Sequence, residues 1–389
     1  MPLLGWPLVL TLSVVTLVTM VVTLVAWPRV RGGRPLRVAQ RVGLLLVTQV
    51  ATVLLVAAGL NNYGYFFGSW SDLVGQTSSG APDPATISRA LGVKPDSSGT
   101  DHGRTGVAPS QTQSAVAHAT QSQWSTPAQW STKGRVQAVT IAGAHSGMSE
   151  EALVYLPPQY FQPAYRHTRF PGVEVLTGYP GMTTALVERM HYPSILLSEM
   201  AHHRAKPMVL VMMRPTIAPP RDTECTDVPA GPLALTYFAE DVPRAVASDL
   251  RVNATGWGAM GDSTGGYCAT KLAMTHSSVF TSAVSLSGYY HTLRDGTTGD
   301  LWGGSPQVRH LNDLEWLLQH QPAPPVSVYA SIGTNELGHN GIVDTRRFAS
   351  LVRPPMSVQV VTVAGGGHNF RDWSRVVPAG LDFLARRLA

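Results

Sequence analysis

WGAMGDSTGGYCATKLAM, residues 257–274, opens with an apolar run ending at Met260, continues through GDSTGG and leaves in a helical run from Tyr267. Its centre contains GxSxG as Gly261-Asp262-Ser263-Thr264-Gly265. Where a strand turns sharply into a helix, the flanking positions need glycine because a Cβ would clash, and the serine between them is pushed outward. The N–H of the next residue then lies at a helix N-terminus, where it can stabilise an oxyanion. Short matches of this kind arise often by chance, so a bland turn serine is the competing reading. The strand before it, the helix after it and Gly266, which allows close helix packing, favour a nucleophile at Ser263.

Working outward, β-like runs at 135–142, 152–156, 173–177, 208–213, 256–260, 282–286, 326–331 and 358–363 alternate with helical runs at 184–200, 233–250, 266–275, 313–319, 346–351 and 373–388. Such alternation predicts a mostly parallel sheet covered by helices on both faces, an α/β domain over residues 134–389. The first two strands, joined by the turn-like GAHSGM, are expected to form an antiparallel hairpin at one sheet edge.

In an α/β-hydrolase fold the serine is followed in the chain by an acid and then a histidine, each just after a later strand. PVSVYASIG is followed by Gly333-Thr334-Asn335-Glu336-Leu337-Gly338, and Glu336 is the first acid after it, with Asp344 and Asp372 as competitors. SVQVVTVAGGG ends at His368, whose flanking glycines let a loop approach the serine; His339 is the rival histidine. A second oxyanion donor should follow an early central strand, and VEVLTGYPGM supplies the Tyr179 N–H there beside that of Thr264. An ordinary turn is the alternative for that loop. Residues 287–309, with Tyr289 and Trp302, follow a strand end and offer one wall of an acyl pocket, or else aromatics packed in the core.

The chain from about Arg135 onward resembles the esterase group of α/β-hydrolases, which includes esterase D type carboxylesterases and antigen 85 type mycolyltransferases. VYLPPQYF, LTGYPG, GDSTGG, AVSLSGYY, GDLWGG, residues 333–338 and GGGHNFRDW occur in the order and with the spacing of that group. The likeness to mycolyltransferases is closest at 335–338, at 300–303, and in His368 followed five residues later by Trp373. The resemblance implies Ser263 as nucleophile, Glu336 as acid, His368 as base, and Tyr179 and Thr264 as oxyanion donors. Mycolyltransferases carry an acidic residue and an arginine in the oxyanion loop where this chain has Thr177 and Pro180, a departure that counts against trehalose as acceptor.

Ahead of the domain, residues 5–27 and 42–60 are uncharged apolar runs, each about long enough to cross a bilayer core of ~30 Å as a helix. A cleaved signal peptide is the competing reading of the first, but it lacks a basic amino end and a small-x-small cleavage site. Arg29, Arg31, Arg34, Arg37 and Arg41 cluster between the runs, which by the positive-inside rule puts that loop in the cytoplasm and both chain ends outside. Tyr63, Tyr65, Phe66, Phe67 and Trp70 follow as an interfacial belt would, so residues 1–70 read as a two-span anchor contacting membrane lipids. Those five arginines account for the net charge of +5, since the other 24 basic residues balance 24 acidic ones; no basic stripe for nucleic acid remains. Residues 71–133, rich in Ser, Thr, Gln, Gly and Pro, read as an extracytoplasmic linker, with Trp124 and Trp130 available to dock on the domain. Cys225 and Cys268, the only cysteines, either form one disulfide or stay as two thiols, too few for a zinc site.

Together these features predict a membrane-anchored serine esterase working through an acyl-enzyme, with no metal or organic cofactor required. A cell-envelope acyltransferase and a catalytically dead envelope scaffold are the alternatives, and an ester or acyl lipid is the expected substrate.

Overall fold

The structure, a computed structural model, describes residues 6–64, 70, 116–121, 124–338 and 340–388. The chain divides into two compact units, Met1–Gln76 and Thr77–Ala389.

The first unit holds helices α1 (Trp6–Ala26) and α2 (Arg34–Gly64). Both are long and apolar enough to cross a membrane, over Trp6–Arg29 and Arg34–Asn61. They pack on each other: Leu8 and Ala58 share a buried contact, and Thr23 Oγ1 lies 2.9 Å from Thr48 Oγ1. Hydroxyls along these helices also return to carbonyls one turn back, as Thr52 does to Thr48, which satisfies them without solvent. Of the aromatic belt, Tyr65, Phe66 and Phe67 lie outside the described residues.

The second unit is built on a nine-stranded sheet: β1 (Val116–Gln121), β2 (Arg135–Ala142), β3 (Ser149–Leu156), β4 (Gly172–Leu176), β5 (Val209–Met213), β6 (Trp257–Asp262), β7 (Phe280–Leu286), β8 (Ser327–Gly333) and β9 (Ser357–Val363). Their order is β1-β2-β3-β5-β4-β6-β7-β8-β9. Pairing is antiparallel from β1 through β3 to β5 and parallel from β5 to β9. β4 and β5 are buried along their whole length, as strands covered on both faces must be. Alternate residues feed two apolar layers: Val209, Val211 and Met213 enter one, Leu210 and Met212 the other. The α/β-hydrolase architecture expected from the sequence is present.

Several expectations are corrected in detail. The expected hairpin is strands β2 and β3, but the sheet edge is β1, drawn from the stretch expected to be linker. Trp124 sits edge-on to Tyr155, and Trp130 lies against Phe161 with the Arg135 guanidinium over its ring, so both indoles are held by the domain. The helix expected at 184–200 is two pieces, Thr183–Glu188 and α3 (Tyr192–Ala201), broken at His191, whose φ is 54°. Pro193 explains the break: it has no N–H to give a preceding turn and fits only at a helix start. Pro378 likewise divides the last helix into Phe370–Ser374 and α5 (Val377–Ala385), where α4 is the helix Thr264–Thr275 after GDSTGG. Within the run expected at 233–250, Pro243 is preceded by a π-turn at Tyr237–Asp241 that absorbs the missing bond.

The two cysteines are joined: Cys225, in the loop after β5, is disulfide-bonded to Cys268 in α4 across 43 residues of chain. Both are fully buried. Replacing both with serine should therefore lower stability by about 2–4 kcal/mol. Thermal unfolding of the detergent-solubilised chain should show a melting temperature lower by about 5–15 °C.

Candidate active site

Ser263 is the point where β6 passes into α4, with φ 53° and ψ −121°. A non-glycine residue with positive φ is strained, and here neighbouring backbone imposes it. A Cβ on Gly261 would overlap the backbone of Gly265, and one on Gly265 would overlap the carbonyl of Leu176, the last residue of β4. The two glycines therefore let strand, helix and neighbouring strand meet at van der Waals distance. Leu176 is in register with Gly261, and β5 lies beyond β4, so the chain reverses its progress across the sheet between β4 and β6. Ligand crevices of open α/β sheets lie at such a reversal, outside the carboxyl ends of the strands.

His368 and Glu336 converge on that point from later strands. His368 Nε2 lies 2.9 Å from Ser263 Oγ, and its Nδ1 lies 2.8 Å from Glu336 Oε2. Glu336 Oε1 accepts from Ser287 Oγ at 2.6 Å and from the Gly333 N–H at 2.9 Å. Burial alone would raise the Glu336 carboxyl; the hydrogen bonds from His368, Ser287 and Gly333, with the charge of His368, outweigh it and hold the pKa below the usual value. The two loops are tied to each other, the Asn335 N–H donating to the Gly366 carbonyl and the Gly365 N–H to Thr334 Oγ1. A Cβ on Gly333 would strike the backbone of Gly366, and one on Gly366 would strike Val363, so both positions take glycine. Trp373 stands edge-on to the His368 ring at 4.8 Å and backs it. A hydroxyl, an imidazole and a carboxylate in this order can pass the hydroxyl proton to the imidazole while the carboxylate steadies the resulting charge.

Tyr179 lies in the loop that follows β4, and Thr264 directly follows Ser263 in the chain. A Cβ on Gly178 would come within 2.9 Å of Ser263 Cβ, so the loop after β4 rests directly on the serine. Its turn is closed by the Gly181 N–H donating to the Gly178 carbonyl, and the Tyr179 hydroxyl donates to the Pro220 carbonyl. Thr264 opens α4, where the first N–H groups have no acceptor within the helix. Its hydroxyl donates to Asp222 Oδ2 at 3.0 Å and accepts from the Tyr289 hydroxyl at 3.2 Å. The same Tyr289 hydroxyl proton is shared with Glu224 Oε1, the closer acceptor at 2.6 Å, and Lys271 donates to the Glu224 and Cys225 carbonyls. Burial pushes Asp222 up to about 6.

Tyr289, put forward for an acyl pocket, is thus buried against Thr264 and stacked on Tyr267. Trp302 packs with Val228 and Leu301 beneath Arg309. The competitors for the acid are engaged elsewhere: Asp344 accepts from the Asn340 N–H and Asp372 from the Gly367 N–H. His339 lies outside the described residues. Sequence reading missed Asp222, Ser287 and the carboxyl of Asp262, which accepts from the Gly178 N–H. Only Asp262 carried a usable signal, a charged residue ending an otherwise apolar strand. No cluster of metal-binding side chains occurs among the described residues.

Comparison with known proteins agrees with the fold. The model of the family described as Putative esterase matches residues 145–384. No curated protein matches by sequence. Among solved structures, an S-formylglutathione hydrolase from Agrobacterium tumefaciens is similar at 16% identity and a TM-score of 0.57, over 70% of this chain and 100% of that one. A ferulic acid esterase is similar at 17% identity and a TM-score of 0.55, over 66% and 100%. Fluorophosphonate-binding serine hydrolase F of Staphylococcus aureus is similar at 16% identity and a TM-score of 0.53, over 65% and 98%. At these identities the likeness speaks for the fold.

Two outcomes follow from the Glu336 contacts. Glu336→Gln should keep the loop yet cost about 10⁴-fold in kcat for hydrolysis of a nitrophenyl ester, the order expected for a histidine left in the wrong tautomer. Because the folded-state pKa is lowered, ionised Glu336 contributes stability that is present above about 4.5 and lost as pH falls through its lower folded value. Chemical denaturation below that pH should therefore show wild type losing more stability than the glutamine variant.

Proposed function

Because the chain belongs to the Putative esterase family and is a hydrolase of the esterase type, we propose that it is a membrane-anchored, extracytoplasmic serine esterase with Ser263 as nucleophile. The observation that carries the reading is the unbroken run Ser263 Oγ, His368 Nε2, His368 Nδ1, Glu336 Oε2, each link within 2.9 Å. His368 takes the hydroxyl proton as Ser263 Oγ bonds to the ester carbonyl carbon. The carbonyl oxygen becomes an oxyanion facing the Tyr179 and Thr264 N–H groups. Collapse breaks the bond to the alcohol, which leaves with the proton from His368, and an acyl-serine remains. Water then repeats the sequence: His368 accepts its proton, the acid is released and Ser263 is restored.

His368 is about half exposed, so a leaving alcohol and an incoming water both reach its Nε2 side. Two apolar helices ahead of the domain, with the arginine-rich turn between them, support an anchor that leaves the domain on the outer side. The stretch from 71 up to β1 then serves as the tether, and the catalytic domain runs from β1 onward.

Wild type should label with a fluorophosphonate probe and Ser263→Ala should not; equal labelling of the two would overturn the nucleophile. With an acyl ester and excess sugar, the sole acyl product should be the free acid, and an acylated sugar would instead make the protein a transferase. Protease added to intact cells should release a labelled domain by cutting within 71–115, whereas complete protection would reverse the topology.

A further inference from the structure

Asp262 ends β6 immediately before Ser263, yet it takes no part in the proton path. Its side chain is completely buried. Oδ2 accepts the Gly178 N–H at 2.9 Å, and Oδ1 meets no hydrogen-bond partner among the described residues. Burial pushes the carboxyl up to about 7, against the Gly178 N–H and the charge of His368, which pull it down. A buried acid satisfied on one oxygen alone is costly, so packing does not account for it.

Its single bond falls on a consequential peptide. Gly178 is the residue on which a Cβ would come within 2.9 Å of Ser263 Cβ, and the next N–H along the chain is that of Tyr179. Fixing the Gly178 N–H fixes the peptide that leads directly into Tyr179. A few tenths of an ångström matter there, because an oxyanion donor acts only at about 2.7–3.1 Å from the forming charge. The turn 178–181 has one further backbone closure, from Gly181 to Gly178, which sets its shape without anchoring it to the elbow. The Tyr179 hydroxyl ties the loop to Pro220 on its outer side. The bond from the Gly178 N–H to Asp262 joins the loop to β6, the strand that leads into Ser263.

We propose that Asp262 is a positioning residue for acyl transfer: through the Gly178 N–H its carboxyl oxygen holds the oxyanion loop on the nucleophile elbow, so that the Tyr179 N–H meets the developing charge. The proposal rests on the acyl-transfer reading above. It assigns the acid to the transition state, so its loss lowers kcat and leaves substrate binding alone.

The test compares wild type, Asp262→Asn, Asp262→Ala and Ser263→Ala in the detergent-solubilised full chain, with a nitrophenyl ester and a trifluoromethyl ketone that adds to the serine as an oxyanion. Asp262→Ala should lower kcat about 10²-fold, the loss seen when one oxyanion donor is removed. KM should stay within about twofold, while the ketone dissociation constant rises in parallel with the loss in kcat. Asp262→Asn, which keeps an acceptor oxygen at the same reach, should recover most of that loss. Wild-type kcat in Asp262→Ala, unchanged ketone affinity, or equal impairment of the Asn and Ala variants would overturn the positioning role. If the Ala variant melts below the assay temperature, Asp262→Ser, whose hydroxyl is too short to reach the Gly178 N–H, is read against Asp262→Asn by the same criteria. Wild type no faster than Ser263→Ala would instead sink the acyl-transfer reading itself.

Discussion

No side-chain atom fits between Gly265 and the carbonyl that ends β4, and the candidate site depends on that exclusion. Two glycines let the helix start on top of the neighbouring strand, and Ser263 must then take a left-handed backbone to make the turn. The local cost is of order 1–3 kcal/mol, carried by burial of β4, β5 and β6 in the centre of the sheet. Because the elbow is pressed onto β4, the loop leaving β4 has nowhere to go except across the serine. The same packing that exposes Oγ thus brings the loop of Gly178 and Tyr179 against the serine.

Two buried acids stand on either side of this elbow, in different company. Asp222 reaches the Thr264 hydroxyl from the loop after β5, and that loop is fastened to α4 by the Cys225–Cys268 bond and by Lys271, whose ammonium lies against its carbonyls. Glu224 and Cys225 both adopt positive φ in that stretch, a conformation few side chains accept without outside restraint. Asp262 Oδ2 accepts the Gly178 N–H. The Thr264 side of the elbow is accordingly held by a denser polar network than the Gly178 side, so changes of equal size on the two sides should not have equal effects.

Much of this was legible in the sequence because it is written locally. The eight expected β-runs each coincide with a strand, since buried parallel strands show as short apolar runs. Ser263, Glu336 and His368 could be picked out because each follows such a run beside glycines that a close approach requires. What failed to show is nonlocal. Nothing near Asp222 or Ser287 announces a contact with residues far along the chain, and Tyr289 reads equally well as pocket or core until its hydroxyl is seen between Glu224 and Thr264. β1 was hidden by its polar composition, which an edge strand tolerates because only its partner side needs bonding. Helix breaks at Pro193 and Pro378 were overlooked because apolar periodicity continues through them.

The two halves of the candidate site differ in how firmly they are built. Ser263 belongs to the most deeply buried part of the sheet and is fixed by backbone that cannot move without displacing β4. His368 follows β9, an edge strand whose residues are mostly half-buried or exposed, and its loop is held by Asp372, Thr334, the Gly366 carbonyl and the edge of Trp373. Regions with few buried contacts open first. Local opening of this protein should thus carry His368 away from a Ser263 that stays in place, and Glu336 would go with His368 because their loops are bonded to each other. Such an arrangement keeps the strained element rigid while leaving the half-exposed imidazole at the solvent edge.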